Sequence, residues 1–131
     1  MGKPAASAGD RVEATDNHVV LVPSPSGTTP VDESLPFAGI LDGNLCDKVL
    51  IQGRPAAVVG STATNTPPHI PIGGTFANPP TNQAQIVSGS GKVFFQGRPA
   101  ARDGDTALTC NDPAPEPVGR VIASSTVLIG D

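Results

Sequence analysis

Residues 48–66 read KVLIQGRPAAVVGSTATNT and residues 92–110 read KVFFQGRPAARDGDTALTC, identical through QGRPAA at an offset of 44 residues. A third copy is split between the chain ends. KPAASAGDRVEAT, from Lys3 to Thr15, aligns Pro4 with Pro55 at an offset of 51, and STVLIGD at the C-terminus aligns Val127, Leu128 and Ile129 with Val49, Leu50 and Ile51. Joining the last residues to the first completes a third V-L-I-x-G-x-P-A-A unit, so the repeat is circularly closed. A fixed internal period of this kind governs the fold before any residue-level pattern does.

Each unit has the same plan: an apolar strand, a turn, a second apolar strand, then PAA and a polar loop. The reading places hairpins at Ile86-Val87 with Lys92–Gln96 across Ser88-Gly89-Ser90-Gly91, and at Val121-Ile122 with Thr126–Ile129 across Ser124-Ser125. A third would join Ile40-Leu41 to Lys48–Gln52 after Asp42-Gly43. One short hairpin is marginal in water, so three should bury their apolar faces together around a pseudo-threefold axis. The intervening segments, Val19 to Phe37, Pro67 to Gln83 and Asn111 to Gly119, are rich in Pro, Thr, Asn and Gly and are expected to be ordered but irregular.

Composition supports this class. Gly and Pro together are 30 of 131 residues, about twice the usual share, which excludes a helical bundle. Charged residues at 15% and hydrophobic residues at 37% exclude the highly charged, apolar-poor composition of a disordered chain. Eight Lys and Arg against twelve Asp and Glu give no electrostatic footprint for nucleic acid. No apolar run approaches the roughly 20 residues needed to cross a bilayer, and the N-terminus MGKPAASAGD has no apolar signal-peptide region. Cytoplasmic synthesis, with export by a route other than a signal peptide, is the expectation. Two cysteines are too few for a disulfide scaffold.

The copies GRPAAVVGS at 53–61, GRPAARDGD at 97–105 and KPAASAGD at 3–10 resemble the PAAR family, and the resemblance spans nearly the whole chain. Pro99-Ala100-Ala101-Arg102 spells the motif in full; Val58 and Ser7 stand where the other copies would carry Arg. The runs ATDNHVVLVPSP and ATNTPPHIPIGG look like those of PAAR proteins from phage-tail-like contractile injection particles. The resemblance implies an all-β fold, a small cone of three pseudo-threefold-related β-hairpin repeats with irregular Pro/Gly-rich loops. It implies a single domain over 1–131, with repeats near 3–18, 48–69 and 92–113 and a closing strand at 126–130. It also implies the function of a non-enzymatic tip that caps a trimeric β-helical spike, one copy per trimer, and sharpens it for membrane puncture, with a metal ion near the point. The machine would be a type VI secretion system or an extracellular phage-tail-like particle, and the target membrane would be touched transiently. The chain stops just after its closing strand, so no fused effector is expected, and any cargo would associate as a separate chain.

Counting from each PAA, the loops reach Thr15 and His18, Thr66 and His69, and Cys110 and Pro113. His18 and His69 are repeat-equivalent at an offset of 51, and the third loop supplies Cys110 instead. Two imidazoles and a thiolate suit Zn²⁺, and the family's use of histidines with a cysteine carries over to these positions, with iron as the alternative ion. A fourth ligand is missing: Leu35-Pro36-Phe37, where relatives place another His, has none. Cys46 is expected to be a reduced buried thiol. The Asp103-Gly104-Asp105 pair reads as turn chemistry rather than acid-base carboxylates.

Strand alternation assigns Val49 and Ile51, Val93 and Phe95, and Val127 and Ile129 to one face. It leaves Leu50, Phe94 and Leu128 as an apolar triplet on the other, a candidate spike-docking surface. Two other classes compete: a metal-free secreted binding or adhesin-like β module, and a zinc hydrolase. The second lacks any H-E-x-x-H, G-x-S-x-G or phosphate loop. Metal content and co-purification with a trimeric β-helical partner separate the three.

Overall fold

The computed structural model describes residues 2–130, and among them there is no helix. Thirteen strands follow in order: β1 (Lys3–Pro4), β2 (Arg11–Ser24), β3 (Gly27–Gly43), β4 (Cys46–Ile51), β5 (Arg54–Ala56), β6 (Thr62–Asn65), β7 (Thr75–Phe76), β8 (Gln83–Ile86), β9 (Phe94–Phe95), β10 (Arg98–Pro99), β11 (Thr106–Thr109), β12 (Glu116–Ile122) and β13 (Leu128–Ile129).

The fold is organised by the three PAA segments. Ala57 N donates to Ala6 O (2.9 Å), Ala6 N to Ala101 O (3.0 Å) and Ala101 N to Ala57 O (3.0 Å), a closed triangle of backbone hydrogen bonds. All six alanines of the three PAA pairs have no solvent exposure. After each pair the chain turns back, and the turn is tied by the side chain three residues on. Ser7 N donates to Asp10 Oδ2 (2.8 Å), Val58 N to Ser61 Oγ (3.0 Å) and Arg102 N to Asp105 Oδ2 (2.6 Å). Asp105 also receives the Arg102 guanidinium at 2.9 Å, and Asp103 accepts from Ala123 N at 2.9 Å, so the DGD pair does structural work.

Beyond these turns, β2, β6 and β11 run away from the triangle and alternate with β3, β8 and β12. The order β12-β11-β8-β6-β3-β2 closes on itself through the β12–β2 pairing, entirely antiparallel, with β7 added outside β2. Closure leaves these six strands without an open sheet edge along their paired lengths. Inside lie Leu41, Ile86 and Val121, one from each unit, then Val12, Ala63 and Ala107, all essentially buried.

On the other side of the triangle lie three short hairpins: β4 with β5, β9 with β10, and β13 with β1. The strand pairs expected from sequence are therefore corrected. The turn is Gln52-Gly53 (φ 51° and 84°) and Gln96-Gly97 (φ 51° and 82°), where both residues take the left-handed conformation of a tight two-residue hairpin. In the third hairpin the two strands are remote in sequence, Lys3 pairing with Ile129 and Pro4 with Leu128. Ser88-Gly89-Ser90-Gly91 is a crossing instead: a Cβ on Gly89 would stand 2.8 Å from Ala100 O, so the glycine serves close approach.

A second correction concerns Val19 to Phe37, which is regular rather than irregular. β2 and β3 pair without a break from Arg11↔Ile40 to Ser24↔Gly27, joined by Pro25-Ser26. Ala38 N and O turn outward, to Asn65 Oδ1 and from Thr66 N. By the two-residue period Pro36 and Pro30 occupy the following outward positions, where a missing N–H costs nothing and blunts the edge.

The alanine triangle has no room for a larger side chain. Ala57→Leu is expected to lower stability by about 1–3 kcal/mol or more, read from thermal unfolding by far-UV circular dichroism, whereas a parental midpoint would refute the close approach.

Candidate metal centre

The end of the ring remote from the hairpins gathers four potential ligands. Alternation along β2 turns Asp16, His18 and Val20 to its buried face. Cys110 follows the last residue of β11, and His69 follows β6 by a short Thr66-Pro67-Pro68 crossing. The ligand atoms of Asp16, His18, His69 and Cys110 all lie within 4.8 Å of one another. The three residues singled out from sequence are thus brought together, and the position left without a ligand is met by Asp16. The segment Leu35-Pro36-Phe37 contributes packing, with the Phe37 ring 6.0 Å from that of His69.

Asp16 is fully buried, and its two oxygens have separate partners. Oδ1 accepts the Thr109 hydroxyl and faces Asn111 Nδ2 at 3.5 Å. Oδ2 is left to face the cluster, 2.9 Å from His69 Nε2 and 3.5 Å from Cys110 Sγ. Asn111 is itself fixed, accepting Asn17 N at 2.7 Å and donating to Thr109 O at 3.1 Å. His69 is held through its backbone N–H, which donates to Asn82 Oδ1 at 2.9 Å, and Asn65 Nδ2 donates to the same oxygen.

His18 carries the clearest signal. Its side chain is 1% exposed, packed 5.0 Å from the His69 ring and 5.7 Å from Phe76, and neither ring nitrogen has a hydrogen-bond partner among the described residues. The nearest charge is Asp112 Oδ2, 3.6 Å from Nδ1, too far for a hydrogen bond and already accepting Val19 N at 2.8 Å. Leaving buried polar atoms unmatched costs about 1–3 kcal/mol each. A cation bound through one nitrogen, with the other turned to Asp112, removes that cost, and a carboxylate beyond the ring is the usual outer partner of a metal-bound histidine.

The electrostatics agree. Burial pushes the Cys110 thiol above its ordinary pKa, and the Asp16 carboxylate pushes it further. A divalent cation reverses both effects, because it stabilises the thiolate and the carboxylate together. Two imidazoles, a thiolate and a carboxylate make a donor set of the right count and softness for tetrahedral Zn²⁺ or Fe²⁺. Cys46 lies in the separate cluster beneath the alanine triangle, buried, with Sγ donating to Gln96 Oε1 at 3.3 Å.

A threefold β body with such a cluster at one end and hairpins at the other is a small all-β domain. Residues 35–113 and 77–131 match the family model described as PAAR motif, and the chain belongs to that family. It is a family of structural spike-tip proteins rather than enzymes. No curated protein matches the chain. The match takes in His69 and Cys110, while Asp16 and His18 come from the first copy, before it.

Replacing His18, His69 and Cys110 together with Ala is expected to abolish bound metal, measured per chain by elemental analysis, and to cost several kcal/mol of stability. Thr109→Val, which removes the hydroxyl donor to Asp16 Oδ1, should lower metal affinity about 10–100-fold. Unchanged metal content in the triple variant would contradict the site.

Proposed function

We propose that this chain is the tip of a contractile injection machine, one copy capping a trimeric β-helical spike, with a single structural Zn²⁺ or iron ion held by Asp16, His18, His69 and Cys110. The whole chain is read as one PAAR domain, made in the cytoplasm and carried out of the cell on the particle. The observation that carries this reading is the pseudo-threefold ring built within one polypeptide. A trimer ends in a threefold face, and a single chain with three internal units matches that symmetry while closing to a point.

The exposure pattern supports the docking end. Leu50, Phe94 and Leu128 stand at equivalent places in the three hairpins and are 59, 52 and 62% exposed, whereas Ile51 and Ile129 point into the core at 4% each. Val127 departs from the inward set at 39% exposure. Apolar groups displayed with the partner's symmetry gain roughly 25 cal/mol per Å² when docking covers them. At the other end, the cluster crosslinks β2, the segment after β6 and the segment after β11, which holds the point together under load.

Mass measurement of the free chain and of its complex with the spike should give a monomer and a one-to-three assembly. Phe94→Ser should weaken spike binding without altering the metal content or the isolated fold. A stable homotrimer of this chain would contradict the capping role.

A further inference from the structure

The three units differ at the residue that follows each PAA. In the unit of Pro99-Ala100-Ala101 it is Arg102, which is buried over its own turn. Its Nε donates to Asp105 Oδ2 at 3.2 Å and its Nη2 to Asp105 Oδ1 at 2.9 Å, and the Ser88 hydroxyl reaches the same Oδ1 at 3.4 Å. In the unit of Pro55-Ala56-Ala57 both members of the pair change together. Val58 stands for the arginine and Ser61 for the acid, and the Ser61 hydroxyl accepts Val58 N and donates to Asn44 O. The unit of Pro4-Ala5-Ala6 is different. It keeps the acid as Asp10 but has Ser7 in place of the arginine, and Ala123 stands where Ser88 does, since Val121 and Ile86 are equivalent. Asp10 Oδ2 accepts Ser7 N at 2.8 Å and faces Ser7 Oγ at 3.5 Å, while Oδ1 accepts no hydrogen bond among the described residues.

Beside this carboxylate the seam to the second unit opens into a cleft of about 320 Å³. Ser7 and Asp10 line it from the first unit, Gln52 and Arg54 from the second, with Ser124 and Ser125 next to them. Arg54 stabilises the Asp10 charge through space, but no hydrogen bond or ion pair joins the two among the described residues. Asp103 acts in the opposite sense, so the carboxylates that bear on the cleft outnumber its one cation. Burial holds the Asp10 carboxyl above its ordinary pKa in spite of Ser7 and Arg54. A second guanidinium against Oδ1 would bring it down.

We propose that this cleft is an open arginine slot, and that it receives the guanidinium of one arginine from a separate protein chain, paired to Asp10 as Arg102 is paired to Asp105. The protein supplies the template itself, because the same turn elsewhere in the fold holds a guanidinium by two parallel hydrogen bonds. Lysine, a point charge, cannot make both bonds. A partly exposed ion pair alone is worth little, so a free small cation would not stay. The arginine has to belong to a larger surface whose other contacts hold it in place. Of the three units, only the first combines the acid with a small residue in the arginine position. A trimeric partner repeats every surface three times, so the slot suits a single-copy chain, such as an effector, bound beside the cap. That count rests on the capping reading, whereas the slot itself does not.

The experiment follows backbone amide NMR shifts of the full-length protein during titration with N-acetyl-arginine amide at constant ionic strength. The uncharged N-acetyl-citrulline amide is the control. The arginine probe should give saturable shifts at Ser7, Asp10 and Ser125, and citrulline should bind about tenfold more weakly or worse. Asp10→Asn, which keeps an oxygen for Ser7 N, should lose the response. Ser7→Arg, which supplies the guanidinium from within the chain, should lose it too and raise the thermal midpoint. Should Ser7→Arg fail to fold, Asp10→Asn decides alone. Shifts that do not saturate, an equal response to citrulline, or an undiminished response in Asp10→Asn or in folded Ser7→Arg would overturn the slot. A response seen only in Arg54→Gln would also overturn it, by showing that Arg54 closes the cleft. None of these outcomes bears on capping, which the mass of the complex with the spike decides.

Discussion

The structure depends on one closed set of contacts, the triangle in which Ala6, Ala57 and Ala101 each donate a backbone hydrogen bond to the next. Three chains can approach an axis this closely only if their side chains end at a methyl group, which fixes the alanines of every PAA. Each bond requires the neighbouring unit to be present, so no unit completes its own pairing. The neighbouring pairs repeat the rule, with bridges Ala5↔Arg102, Ser7↔Ala56 and Val58↔Ala100. The ring divides the molecule into a side of three short hairpins with Leu50, Phe94 and Leu128 exposed and a side that gathers Asp16, His18, His69 and Cys110.

Small side chains make the close approach and limit what the core can hold. Among the described residues, ten of the 22 buried hydrophobic ones are alanine, and a buried methylene contributes only about 0.8 kcal/mol. Larger residues such as Leu41, Ile86 and Val121 lie just past the triangle, and further out the interior turns polar, with Asn65, Thr109, Asp16 and His18 all buried. A polar interior holds together only when its groups are matched. Asp16, Thr109 and Asn111 match one another, as do Asn65 and Asn82, which leaves the His18 ring, with no hydrogen-bond partner among the described residues, as the unmatched group beside the candidate ligands.

The repeats made the threefold plan legible in the sequence, because QGRPAA recurs without change and its missing third strand sits at the opposite terminus. The hairpin partners were not legible. Ser-Gly-Ser-Gly has the composition of a turn but is a crossing pressed against Ala100, while Gln-Gly, which makes the actual turn, places a residue with little left-handed preference at φ 51°. Asp16 was missed for a related reason. The prolines and threonines after Val22 hid the long β2–β3 pairing, and without a strand there the two-residue spacing of Asp16 and His18 carried no meaning. Once β2 is seen to run through His18, the same alternation that buries Val12 and Val20 places the carboxylate beside the imidazole.

Native-state hydrogen exchange at Ala6, Ala57 and Ala101 tests most directly whether the three units stand or fall together. If the triangle is the cooperative element, the three amides should exchange with the same protection, within about threefold after correction for local sequence, and at the rate set by global unfolding. Exchange of Ala6 about a hundredfold faster than Ala57 and Ala101 would show that the split unit opens alone, and would contradict a single closed ring.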